Sequence, residues 1–167
     1  PFPILHFKEL QRNHKIYKYA TEYITLDTET SKKGLIDKDT GEYTELHGVV
    51  YQWAMKLHNT YIYGRKPSQI IDTMSRIAEH YKLTDMKRIL IFIHNMPYDY
   101  QYLKWFFAQY DPTMQVFAID NHHTIKIDLL GFRILCSYKI SNLSLAKLSE
   151  SYSEKIVINK TKKVIVY

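Results

Sequence analysis

Cysteine is nearly absent from the chain: Cys136 is the only one among 167 residues. An internal disulfide framework and a cysteine-rich zinc site are thereby excluded, and a reducing compartment, the cytosol by default, is the expected setting. Glycine and proline are scarce too, five of each, which argues against collagen-like and low-complexity chains. Long apolar runs are missing. The longest unbroken aliphatic and aromatic stretch is residues 89–93, far short of a membrane span, so no membrane partner is expected. With 46% hydrophobic and 24% charged residues, the composition is that of one soluble globular domain with a sizeable core. The first residue is Pro1 and the last, Tyr167, closes an apolar run, so a piece of a longer chain is expected.

The net charge is +6 and is unevenly spread. Residues 1–20 carry Lys8, Arg12, Lys15 and Lys18 against Glu9, while residues 139–167 carry six lysines against Glu150 and Glu154. Basic flanks on a nearly neutral body suit a polyanion, because each cation that meets a phosphate releases condensed counterions. The plainer reading is solubility. Fifteen tyrosines add faces that can stack on unpaired bases, although most are expected in the core.

Periodicity predicts an α/β body. Residues 22–27 alternate as a first strand, residues 31–45 read as an exposed loop or hairpin tip, and residues 49–55 and 61–63 follow as a second and third strand. Ser68 is a plausible cap for a helix whose face is Ile70, Ile71, Met74, Ile77, Ala78 and Tyr81. Residues 89–93 form a short buried strand and residues 98–110 a helix. In that helix Tyr102, Trp105, Phe106 and Tyr110 are expected in the core. Strands are expected over 116–119, 124–129 and 132–136, then a helix from Ser144 with Leu145, Leu148 and Tyr152, and a lysine-rich hairpin or extended segment over 160–167.

Two acidic stretches can carry chemistry. Asp27 and Glu29 stand at the carboxyl end of the first strand, and period-two geometry points both to one side. Oxygen-only donors there suit Mg²⁺ or Mn²⁺, against the alternative of a solvated strand end. Asp99 follows Asn95 by four, past a buried strand and a proline turn. It can approach Asp27 and serve a second cation, or simply favour a helix N-terminus. His122 and His123 beside Asp120 do not make a zinc site, since neighbouring side chains diverge. No nucleophilic triad or glycine-rich phosphate loop is present.

In order and context these residues resemble a family. Asp27-Thr28-Glu29-Thr30 is similar to the first motif, and Asn95-Met96-Pro97-Tyr98-Asp99 to the second, of the proofreading exonuclease domain of family B DNA polymerases. The nearest branch is the protein-primed one of phages, adenoviruses and linear plasmids. His94 before Asn95 adds to the likeness. So do Ser137-Tyr138 and residues 144–148, which resemble that branch's serine-leucine region.

The resemblance spans residues 23 to 167 and implies a ribonuclease H-like fold, a three-layer α/β domain with a mixed sheet. It further implies a 3′–5′ exonuclease acting on single-stranded DNA with two Mg²⁺ or Mn²⁺ ions. Asp27 would bridge both ions, Glu29 would complete one shell and orient the water, and Asp99 would serve the second ion. Thr30, His94, Asn95 and Tyr98 would hold the 3′-terminal nucleotides, Ser137 and Tyr138 would be further DNA ligands, and one of Lys160, Lys162 and Lys163 would assist.

The pattern is departed from in three places. Tyr138 stands where the branch has leucine, Ser141 where it has an apolar residue, and no tyrosine three residues before an aspartate follows Tyr152. Tyr81 with Asp85, and Tyr23 with Asp27, are decoys by chain order. Residues 1–20 are therefore expected to be a basic extension and residues 21–167 an exonuclease-like domain cut before its third motif and before a polymerase domain. Such a chain is expected to digest DNA poorly unless Asp120 or Asp128 completes the site. The implied partners are a single-stranded DNA 3′ end, the parent polymerase domain and a terminal priming protein, in the host cytosol if the source is viral. Two rivals remain: a free-standing DNA or RNA exonuclease of the same superfamily, and a catalytically incomplete module that binds single-stranded DNA or the priming protein.

Overall fold

The computed structural model describes residues 2–36, 38–41, 43–120, 123–152, 156–158 and 164–166. The first elements are two hairpins that share a strand. β1 (Phe7–Arg12) pairs antiparallel with the start of β2 (Lys15–Ile36), and the rest of β2 pairs antiparallel with β3 (Tyr43–Leu57). β2 crosses residues 20 and 21 without a break, so the basic N-terminal residues are built into the sheet. The lysine- and glycine-containing stretch after Ser31 forms the hairpin alternative, because β2 and β3 extend through it to a short tip.

A turn at His58 and Asn59 leads to β4 (Thr60–Gly64), and α1 (Ser68–Tyr81) follows. Ser68 is the first helical residue rather than the cap, a place taken by Pro67 with no side-chain capping bond. Gln69 does the work instead: its Oε1 accepts the backbone N–H groups of Arg65 and Lys66, each at 3.0 Å. β5 (Lys87–Ile93), α2 (Met96–Tyr110), β6 (Gln115–Ala118), β7 (Thr124–Leu129) and β8 (Phe132–Cys136) complete the body. A five-residue helix, α3 (Ser137–Ser141), escaped the periodicity because it is too short to show one, and α4 (Leu145–Tyr152) follows. β9 (Ile156–Ile158) and β10 (Val164–Val166) form a separate antiparallel pair.

The main sheet has eight strands in the order β4-β3-β2-β5-β8-β7-β6, with β1 beside the start of β2. β2, β5 and β8 run parallel and the other pairs are antiparallel, so the sheet is mixed. Strict alternation selects its faces. Ile24, Leu26, Ile89, Ile91, Ile93, Phe132 and Ile134 are buried on one face against Ile70, Met74 and Ile77 of α1 and Leu103 and Phe107 of α2. The opposite face is covered far less, with Leu145 of α4 reaching it near the carboxyl ends of the parallel strands. Among the described residues, no helix is long and apolar enough to cross a membrane.

At the far end of the open face Asp128 gathers three cations. Arg133 donates from Nε at 2.6 Å and from Nη2 at 3.0 Å, Lys126 Nζ lies at 3.2 Å, and Arg88 Nη1 at 3.1 Å. Burial alone pushes the Asp128 carboxyl up, but the hydrogen bonds and charges of Arg133 and Lys126 outweigh it and hold it below the usual range. This stability is full above the ordinary aspartate value near 4 and is lost as pH falls through the lower folded value. Asp128→Asn is expected to cost on the order of 3 kcal/mol at pH 7, since it leaves the half-buried guanidinium groups uncompensated. Urea titrations should show the gap between the two proteins closing below pH 4.

Candidate functional site

β5 and β8 end in register where β2 runs on past them, and that point builds the site. Thr25 pairs with Phe92, and Phe92 with Leu135. Two residues further along each strand, on the same open face, stand Asp27, His94 and Ser137. They border a cleft of about 630 Å³ whose wall also includes Tyr23, Phe92 and Leu145. Asp27 is exposed there and Glu29, on the same face by alternation, is half-buried. Just beyond Glu29 the register with β3 slips by one residue, so that Glu29 faces Gln52 while Thr30 faces Val50. The bulge bends the sheet where the acidic strand leaves it.

Asp99 arrives from the opposite face. Asn95 ends the loop after β5 with φ +56°, a left-handed conformation that asparagine tolerates, and its carbonyl accepts the N–H of Tyr98 at 3.0 Å. That turn swings α2 back over the sheet and sets Asp99 in its first turn, 4% exposed. Thr28, which points into the core between the two acids, donates its hydroxyl to Asp99 Oδ1. Burial raises the Asp99 carboxyl to about 6; the Thr28 hydrogen bond opposes the rise and the charge of Asp27 adds to it. Asp27 and Asp99 therefore sense each other at one edge of the sheet although 72 positions apart in sequence.

The neighbouring polar groups are arranged in two sets. Below the helix, the Thr30 and Tyr98 hydroxyls share a hydrogen bond, and Tyr102 stands edge-on to Tyr98 with ring centroids 5.4 Å apart. A Cβ at Gly48 would lie 2.6 Å from the Tyr102 hydroxyl, so this position on β3 must be small. On the open face, His94 Nδ1 lies 3.1 Å from Ser137 Oγ, and the Tyr138 ring stands perpendicular to the imidazole at 5.7 Å. Burial lowers the His94 pKa, and the charge of Asp27 opposes that shift. Ser141 donates to the Ser137 carbonyl at 3.1 Å and so closes α3, which accounts for a polar residue there.

The structure thus brings together Asp27, Glu29, Thr30, His94, Tyr98, Asp99, Ser137 and Tyr138, with Asn95 at the turn. Lys160, Lys162 and Lys163 lie outside the described residues. Asp128 is held by its three cations, and Asp120 by His123 Nδ1 at 2.7 Å, in the turn between β6 and β7. β7 is three places from β2, about 14 Å at ordinary strand spacing, too far for Asp120 to share a cation with Asp27. Several side chains depart from expectation. Trp105 is 60% exposed rather than in the core, and Tyr102 and Phe106 are half-buried outside the core cluster, whereas Tyr110 packs against it. Thr28 emerges as the partner of Asp99; a hydroxyl on the core face of a strand end, between two acids, was the signal for it.

For a divalent cation the donor set is right in kind, since Asp27, Glu29 and Asp99 offer only carboxylate oxygens. The mutual repulsion of Asp27 and Asp99 is relieved by such an ion. Among the described residues, no three His, Cys, Asp or Glu side chains form a cluster arranged to hold a metal ion. The fit is that of an acidic pair.

Fold and site together define an α/β domain with an eight-stranded mixed sheet and an acidic carboxyl edge. No family model matches the chain, and no curated protein matches its sequence. Among solved structures the fold is similar to phi29 DNA polymerase, complexed with primer-template DNA and incoming nucleotide substrates, with a TM-score of 0.57 at 11% identity. The match covers 83% of this chain and 24% of the polymerase chain. At that identity the likeness is one of fold.

The raised Asp99 carboxyl has a stability consequence in metal-free buffer. The unfolded chain loses this proton near pH 4 and the folded chain near pH 6, so stability falls as pH rises between those values. At about 1.4 kcal/mol per unit the loss is on the order of 3 kcal/mol. Asp99→Asn keeps an acceptor for Thr28 and should flatten that slope in urea titrations with EDTA. Asp27→Asn should lower the Asp99 pKa, read by carboxyl-carbon NMR.

Proposed function

We propose that the chain is a proofreading 3′–5′ exonuclease domain of a DNA polymerase, with a ribonuclease H-like architecture, acting on the 3′ end of single-stranded DNA. The observation that carries this reading is the joining of Asp27 and Asp99 at one sheet edge, beside a cleft bordered by His94 and Ser137. The order of the elements supports it as well: a meander of β2, β3 and β4, then parallel β5 and β8 with helices between. The fold likeness to a polymerase solved with primer-template DNA supports the same class.

In this reading Asp27 and Asp99, with Glu29 further along the strand of Asp27, would hold Mg²⁺ or Mn²⁺, which when bound would supply Lewis-acid activation of water and of the phosphodiester. The chain's own groups do the rest. Tyr98, fixed by Thr30, offers a ring and a hydroxyl to the terminal nucleotide. His94, its Nδ1 beside Ser137, keeps Nε2 for a phosphate or sugar oxygen. Asn95 contributes an amide at the helix entrance, and Tyr138 backs the imidazole. The polymerase domain, a terminal priming protein and a cytoplasmic setting belong to the same proposal.

The second reading, a module that binds single-stranded DNA without cutting it, draws support from the lack of a three-carboxylate cluster among the described residues. One assay separates the two. A labelled single-stranded oligonucleotide with Mg²⁺ or Mn²⁺ is expected to lose nucleotides from its 3′ end only slowly, since no third carboxylate completes the site among the described residues, and EDTA should stop the loss. Asp27→Asn and Asp99→Asn should each slow release on the order of 100-fold or more. DNA binding without release would assign the chain to the binding class, and release that survives Asp27→Asn would overturn the site.

A further inference from the structure

The strand register extends the site in a direction that none of its motifs covers. Asp27 pairs with Ala54 of β3, and Ala54 with Tyr63 of β4. One row back, Thr25 pairs with Lys56, and Lys56 with Tyr61. Directly opposed residues share a face, so both tyrosines stand on the open face with Asp27, while Trp53, Met55 and Leu57 between them turn into the core. Tyr61 and Tyr63 are 66% and 77% exposed, which is unusual for two aromatic rings on one short strand. They stand about 6.6 Å apart along β4, and Tyr63 is two strand spacings, about 10 Å, from Asp27. Ala54 lies between them with only a methyl group, which leaves the way open.

Within the stretch of chain that carries these rings the charge is of one sign, while Glu22 of β2 lines a pocket with Lys56. Residues 46–71 contain Lys56, Arg65 and Lys66 and neither Asp nor Glu. Lys56 Nζ lies 5.2 Å from the centroid of the Tyr61 ring. Arg65 and Lys66 follow β4 directly in a turn held by Gln69, and the Lys66 carbonyl accepts the Trp53 indole N–H at 3.0 Å. The cations are therefore presented by fixed backbone, and the rings are bare in a row that leads to the acidic edge. Exposed aromatic faces interleaved with cations are what unpaired bases and their phosphates need.

We propose that Tyr61 and Tyr63, with Lys56, Arg65 and Lys66, form a lane on the open sheet face that binds single-stranded DNA and feeds its 3′ end to Asp27. This rests on the exonuclease reading for its direction. The bases would stack on the two tyrosines, two to three nucleotides from the end, and the cations would meet the phosphates.

The test is fluorescence anisotropy of a labelled oligothymidylate in EDTA, so that no cleavage intervenes. Tyr61→Ala and Tyr63→Ala should each weaken binding about 5- to 100-fold, while Tyr61→Phe and Tyr63→Phe, which keep the ring, should bind within about twofold of the parent. Lys56→Gln should make the log–log salt slope shallower by about 0.7. Parent-like binding by both alanine variants overturns the lane, as does an equal loss in the phenylalanine variants or a parent protein that binds no oligothymidylate. The exonuclease reading is judged separately, by nucleotide release with Mg²⁺ or Mn²⁺. Release that is indifferent to the tyrosines leaves the exonuclease and removes the lane, whereas tyrosine-dependent binding without release leaves the lane and removes the exonuclease.

Discussion

A buried carboxyl needs a partner, and in this fold the partner of Asp99 is the hydroxyl of Thr28. The contact ties the first turn of α2 to the middle of β2 across 71 residues of chain. Much depends on it. With α2 pinned there, Tyr98 meets Thr30, Tyr102 packs over Gly48, and Asp99 comes under the influence of Asp27. The apolar anchors of the helix, Leu103 and Phe107, lie one and two turns further on and would fix its tilt without fixing its end.

The sheet then distributes charge along its length. β5 and β8 end together while β2 runs on, and beside that point stand the ionisable groups Asp27, Glu29, His94 and Asp99. At the other end Arg88, Lys126 and Arg133 converge on Asp128, where positive charge exceeds negative. Both clusters contain a largely buried aspartate, yet the two move in opposite directions. Asp128 is held low by cations already in place, whereas Asp99 is held high by burial, to which the charge of Asp27 adds.

How much of this was legible in the sequence depended on whether the signal was local. Strand alternation and the helical face of α1 gave the element order closely, because burial on one face forces those periods. The placement of Asp99 near Asp27 came from strand-end reasoning and motif resemblance, and the geometry of the turn at Asn95 accounts for it. Thr28 was overlooked because a hydroxyl flanked by two acids draws no notice until its face is known. Trp105 was assigned to the core because α2 is apolar all round, so its pattern does not say which aromatic residues are left outside. Ser68 has the residue type of a cap but is the first helical residue, whereas Gln69, one position on, reaches back to the N–H groups of Arg65 and Lys66 in the turn before the helix. The tyrosines of β4 were visible as a strand, but their row-mates are set by register, which no local pattern encodes.

The raised Asp99 carboxyl also bears on what the acidic edge can hold at neutral pH. A carboxyl with a pKa of about 6 keeps its proton in roughly one chain in ten at pH 7, so a cation arriving there competes with a weakly held proton. Below pH 6 the proton wins more often, and the repulsion from Asp27 is relieved without any ion. His94 does not enter that competition in the same way, since burial favours its neutral form, the form that can accept as well as donate hydrogen bonds. The edge therefore presents two carboxylates and one neutral imidazole near pH 7. In the exonuclease reading a divalent cation and the phosphate that accompanies it would meet both features: the ion would neutralise the acids, and a donor on the imidazole is left for the phosphate oxygen. A monovalent ammonium group would satisfy only the first, because it brings no acceptor for the histidine to serve.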